Sequence, residues 1–285
     1  LPRTCLPQQD EEEEDSDSLS DSTSTSTVSS RVGGGGAVAR ALGLESLQGT
    51  LVVVNVKHTL PLLEKDPAAY SALFTQALTA TLAKMTQYRG MVDVFIADKV
   101  HCSFNTSKRC VTHGVAAVGA AKQLACDPCV ADHVNIGVAT TKSVLCGDMG
   151  CDVLRRFSLI GPVLGEVAAM ERNGRALDIA VLCTRMTFLD AQYSHEMRLV
   201  PRHVAVPGQD TVCAAEVLLT EDSEGKEQEW MYNVGETVDR WHVYNEAVKL
   251  YLRGASEEEA VAAAWPKGDD LRTALHVVGQ CGGCV

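Results

Sequence analysis

The chain has 285 residues, 46% hydrophobic and 22% charged, with a formal net charge of −12. That profile fits one large globular domain, or one domain with appendages. It argues against a general nucleic-acid binder, which needs clustered Lys and Arg to neutralise phosphate. No apolar run approaches the ~20 residues of a membrane-crossing helix, so no membrane insertion is expected of this segment. With no secretory signal pattern either, the expected location is cytoplasmic. The first residue is Leu rather than Met, so the chain reads as a piece of a longer protein, which could itself be membrane-associated.

Residues 1–47 read as a disordered segment. The acidic run Asp10–Asp15 gives way to a Ser/Thr tract over Ser16–Ser30 and then to Gly33–Gly36. Nothing there can bury enough apolar surface to offset the entropy of ordering. The glycines lack the Gly-Lys-Ser/Thr ending of a phosphate loop and read as linker.

Residues 48–235 carry the main domain. Leu51–Val56 is a continuous apolar, β-branched run, as expected of a strand buried on both faces. Asp66 and Pro67 supply an N-cap and a first helical residue. Tyr70, Leu73, Phe74, Ala77, Leu78, Leu82 and Met85 then recur at helical spacing up to Gly90. Val92–Ile96 and Val100–Phe104 read as a hairpin across a tight Ala97-Asp98-Lys99 turn, and a helix is expected over 112–124. Val134–Ala139 reads as a strand paired with Ser143–Gly147 across a Thr140-Thr141-Lys142 turn, with a further hairpin turn at Gly147–Gly150. A helix after Gly161 and a strand over Asp178–Cys183 follow. The order β-α-β-β-α-β-β-α-β predicts an α+β fold, a sandwich around a ferredoxin-like core.

Residues 236–285 change character. Trp241, Tyr244, Ala247, Val248 and Tyr251 share one helical face, Gly254 interrupts, and Ser256 with Glu259 offers a capping box for a second helix. The pair resembles one tetratricopeptide (TPR-like) helical hairpin. A single such unit cannot bury its own face, so it either docks on the main domain or begins an array.

Eleven cysteines scattered through helix-like and strand-like segments do not resemble a secreted disulfide framework. Cys126/Cys129 and Cys281/Cys284 have metal-type spacing. A zinc site would need the pairs to meet, or His113 and His133 to join the first, and reduced thiols are the preferred reading. His101, His195, His203 and His242 lack the spacing of a metal helix motif.

Three blocks in order carry a family resemblance over roughly residues 50–206. They are Val52–Thr59 with the Asp66-Pro67 helix; the hairpin around Asp98; and Asn135-Ile136-Gly137-Val138 through Gly147–Gly150 to Phe157–Gly161 and its helix. Together they resemble the catalytic domain of class III adenylate and guanylate cyclases. The resemblance implies attack of a 3′-hydroxyl on the α-phosphate of ATP or GTP, with release of pyrophosphate, at a dimer interface. It also implies two ions, Mg²⁺ or Mn²⁺, bridged by two Asp residues, with an Asn and an Arg from the partner subunit orienting ribose and phosphates.

Position by position, the implied set is depleted. Asp98 stands at the hairpin metal position. The first-strand Asp position holds Val54 in the ungapped register, or the neutral Asn55 after a one-residue shift. The base-reading positions hold Val94 and Ser158. The catalytic Asn and Arg positions hold Gly165 and Ala169, with Arg172 one turn further along. One of six positions is intact, and loss of a single charge-stabilising donor alone typically costs ~10²–10³ in rate. The leading reading is therefore a degenerate, dimerising or regulatory cyclase-like module, inactive alone, holding at most one Mg²⁺ or Mn²⁺ through Asp98. The alternatives are a cyclase subunit that needs a partner domain and a non-catalytic nucleotide sensor.

Overall fold

A computed structural model describes residues 44–57, 59–151, 153–206, 211–219 and 241–280. An eight-stranded mixed sheet forms its centre: β1 (Glu45–Val56), β2 (Met91–Ile96), β3 (Lys99–Phe104), β4 (Val134–Cys151), β5 (Leu154–Ile160), β6 (Val181–Thr184), β7 (Met197–Val204) and β8 (Val212–Val217). The order across the sheet is β2-β3-β1-β4-β6-β8-β7, with β5 pairing β4. Around it lie α1 (Thr59–Lys65), α2 (Pro67–Gln87), α3 (His113–Ala125), α4 (Val163–Ala176), α5 (Arg185–Ala191), α6 (His242–Leu252), α7 (Glu257–Ala263) and α8 (Gly268–Gln280). The architecture is the expected α+β sandwich.

The uninterrupted apolar run of β1 has a direct cause, because its two faces meet different helices. Val52, Val54 and Val56 join a cluster with Ala77 and Met85 of α2 and Ala117, Ala121 and Leu124 of α3. Leu51 and Val53 face the other way, against Val163 and Val167 of α4. Gly137 on β4 lets α4 lie close on that second face, since a Cβ there would sit 2.5 Å from both Glu171 N and Val167 O. Asp66 caps α2 as expected, accepting from the N–H groups of Ala68 and Ala69.

Three expectations need correction. Thr140–Lys142 is no turn: β4 runs unbroken from Val134 to Cys151. The reason is the length of β1, which starts at Glu45 and pairs Gly49 with Thr141 and Leu47 with Val144 across a bulge. Two threonines favour such a ladder and bring no turn chemistry. Gly147–Gly150 is likewise strand, pairing with Arg155–Ser158. The reversal falls between Cys151 and Leu154, and Gly150 is needed beside it because a Cβ would lie 1.9 Å from Leu154 O. Finally, β6 starts at Val181 rather than Asp178, whose φ of +54° belongs to a turn.

The C-terminal helices dock on the sheet. Tyr244, Ala247 and Val248 of α6 and Leu271 and Leu275 of α8 enter the main cluster. Asn245 mimics a strand against the edge strand β7: its Oδ1 accepts from Leu199 N at 2.8 Å, and its Nδ2 donates to Met197 O at 3.2 Å. That covers backbone groups an open edge would leave unpaired. The capping box of Ser256 and Glu259 is present.

Candidate functional site

The hairpin of β2 and β3 places Asp98 as the sequence suggests. Ala97 before it takes φ +53°, a left-handed conformation that costs a residue with a Cβ roughly 1–2 kcal/mol. The turn is held to β1 by Val56 N–H donating to Asp98 O at 2.9 Å. The Asp98 carboxylate accepts from the Thr59 hydroxyl at the start of α1, at 3.3 Å. Asp98 is half-buried.

Its neighbours on β1 divide between the two faces. Val54, opposite Val100 and Ile136, is fully buried in the core beneath α2 and α3. Asn55 lies opposite Lys99 on β3 and Asn135 on β4, and directly opposed residues share a face. These three side chains therefore form a polar row on the α4 side. Lys99 Nζ donates to Glu171 Oε2 of α4 at 2.6 Å, with the Glu171 side chain wholly buried. Arg175 Nε stands 3.8 Å from its other oxygen. Asn135 Nδ2 donates to Ile179 O at 3.1 Å. The Asn55 amide is 1% exposed and has no hydrogen-bond partner among the described residues.

A second carboxyl on this face was not singled out in the sequence. β2 bulges between Val92 and Val94, and Asp93 is the extra residue. A bulge re-aims a side chain, and here it brings Asp93 to Ser103, whose hydroxyl donates to Asp93 Oδ1 at 3.0 Å. Burial pushes the Asp93 carboxyl up to about 6, against the opposing effects of that hydrogen bond and of Arg156. Val94 is half-buried and pairs with His101, whose imidazole is lowered by burial and by the neighbouring Lys99. The only sequence signal for the bulge was an Asp interrupting an otherwise apolar strand.

The remaining predicted positions lie on other elements. Ser158 lies on β5 opposite Gly147, its hydroxyl donating to Arg156 O at 3.2 Å. Gly165 and Ala169 lie four apart on α4. A Cβ at Gly165 would meet nothing within 4 Å, whereas Ala169 is fully buried with Met170, Leu182 and Val200 in a separate cluster. Arg172 is exposed. Cys126 and Cys129 are exposed and not joined in a disulfide, and His113 is buried against the Thr50 hydroxyl at 2.8 Å. Among the described residues no three His, Cys, Asp or Glu side chains are grouped to hold a metal ion. Cys281 and Cys284 lie outside the described residues.

The donor set does not fit two bridged hard cations. Such ions take oxygen ligands, with carboxylates between them. Beside Asp98 the first strand offers a core valine and a buried amide, and the Glu171 carboxylate is occupied by the Lys99 ammonium.

The fold itself has clear counterparts. The adenylyl cyclase CyaB from P. aeruginosa superposes with a TM-score of 0.57 at 18% identity, covering 64% of this chain and 99% of that one. The guanylate cyclase domain of RhGC from Catenaria anguillulae, solved with GTP, gives 0.52 at 13% identity, over 61% of this chain and 98% of that one. The non-canonical dimeric guanylyl cyclase domain of the RhoGC fusion protein from Blastocladiella emersonii gives 0.50 at 11% identity, over 61% and 97%. The chain has the fold of a class III nucleotidyl cyclase catalytic domain. No family model and no curated protein sequence matches it. At these identities the likeness carries the architecture, and the chemistry rests on the side chains of the cyclase-like domain. Among the described residues no helix is long and apolar enough to cross a membrane.

Proposed function

We propose that this cyclase-like domain is a degenerate, non-catalytic module that acts by pairing with a second cyclase-type domain in a signalling protein. One observation carries the reading: beside Asp98, the place for a second carboxylate holds core-facing Val54 and buried Asn55, with Lys99 already ion-paired to Glu171. A positive side chain fixed on this face opposes a divalent cation rather than recruiting one. One Mg²⁺ or Mn²⁺ held by Asp98 and water is the most this donor set supports. The phosphate-orienting positions are equally poor, because Gly165 and Ala169 carry neither an amide nor a guanidinium, and an Arg fork has no short neutral substitute.

The test is a cyclase assay of the chain with ATP and with GTP, in Mg²⁺ and in Mn²⁺. No cyclic nucleotide is expected, and Asp98→Ala should change nothing. Turnover that disappears in Asp98→Ala would sink the proposal. The partner-dependent reading is separated by mixing with a catalytically complete cyclase domain: a gain in activity that Asp98→Ala removes would favour it. The sensor reading is separated by calorimetry with a non-hydrolysable nucleotide, for which no binding heat is expected.

A further inference from the structure

Away from the hairpin, α7 and α8 enclose a groove of about 370 Å³, lined by Glu257, Glu258, Val261, Trp265, Pro266 and Asp269, among others. Its most unusual member is Trp265, 79% exposed, whereas Ala260 of α7 and Leu271 of α8 are buried. A large aromatic left in water beside a concave apolar surface has the character of a binding anchor. The rim is acidic. Glu257 and Glu258 are exposed and make no ion pair among the described residues. The Asp269 side chain is fully exposed and pairs at 3.4 Å with Arg272, which also lines the groove, so the rim is acidic by the balance of three carboxylates against one guanidinium.

We propose that this groove binds a short basic segment of a partner protein, with an apolar side chain set against Trp265 and Lys or Arg side chains along Glu257, Glu258 and Asp269. Charge complementarity selects that occupant. The acidic segments outside the described residues are poor candidates, since 1–21 holds eight acidic and one basic residue and 220–240 holds seven and two. Both would be repelled by the rim. The carboxylates also favour the two helix N-termini, which accounts for their position on the first turns but not for the bare indole between them.

The test uses fluorescence anisotropy with the whole chain and a labelled amphipathic Leu/Lys peptide, beside its Leu/Glu and Ser/Lys counterparts. Binding is expected for Leu/Lys alone, weakening as salt rises. Trp265→Ala should weaken it by about 10-fold or more. Glu257→Gln with Glu258→Gln should flatten the salt dependence, and circular dichroism should be unchanged in each variant. No binding of the Leu/Lys peptide overturns the proposal, as does equal binding by Trp265→Ala or by the Ser/Lys peptide. Self-association of the chain that Trp265→Ala abolishes would assign the groove to a second copy and overturn it too.

Discussion

Lys99 and Glu171 are 72 residues apart in sequence, yet their charged groups meet at 2.6 Å across the α4 face of the sheet. The pair ties the hairpin that carries Asp98 to α4. The carboxylate is fully buried and the ammonium about one-quarter exposed. Removing one partner of such a pair leaves a buried charge uncompensated. Arg175, 3.8 Å from the other Glu171 oxygen, offsets part of that charge, so Lys99→Met should destabilise by at most about 3–5 kcal/mol in urea unfolding. Lys99→Met with Glu171→Leu should recover most of that loss. A single variant as stable as the parent would show that the pair is not closed in solution.

The Asp93 carboxyl predicts a pH dependence of known sign. Its folded-state value, about 6, lies above its ordinary 3.8, so between these two values the folded state binds more protons than the unfolded one. By linkage, this group's contribution to stability falls as pH rises from about 4 to about 6 and then stays low. Asp93→Asn should remove that part of the profile and leave the protein more stable above pH 6, by at most roughly 3 kcal/mol. Thermal melts of parent and variant across this range measure it. A larger gap at acid than at neutral pH would refute the assignment.

Gly137 makes a steric prediction. A methyl group there meets the backbone of α4 at two points, not the tip of a flexible side chain. Gly137→Ala should push α4 from the sheet and cost about 1–3 kcal/mol or more, in the manner of overpacking. Combined with Lys99→Met it should be less than additive, because both act on the seat of Glu171. Chemical denaturation of the single and double variants decides this.

Asn245 should matter to the edge of the sheet more than its size suggests. Asn245→Ala leaves Leu199 N–H without its partner in a buried setting, a loss of about 1–3 kcal/mol. Hydrogen exchange at Leu199 should quicken while β1 and β4 stay protected. Unchanged exchange at Leu199 would show that the C-terminal helices do not hold this edge.

The legible parts of the fold were those in which local chemistry and tertiary environment agree. Leu51–Val56 could only be a strand covered on both sides, and the Asp66-Pro67 cap, the Asp98 turn and the Ser256/Glu259 box each announce themselves within a few residues. The long β4 was misread because Thr140–Lys142 carries no instruction of its own, and whether the chain turns there depends on how far β1 extends to pair with it. The bulge at Asp93 was hidden for a related reason, since a bulge exists only relative to the partner strand. The Lys99–Glu171 pair joins two elements whose crossing no local pattern encodes.

For the hairpin that suggests a metal site, sequence alone determined which residue types stand at each position: one carboxylate at Asp98, and neutral side chains at 54, 55, 165 and 169. Tertiary structure decided what those substitutions mean. Strand alternation turns Val54 into the α2/α3 core and sets Asn55 and Lys99 under α4, and the packing of α4 on Gly137 brings the Glu171 carboxylate against that lysine. Composition fixes which ligands exist, but the direction of each side chain and the charge it meets arise only when distant strands and helices are brought together.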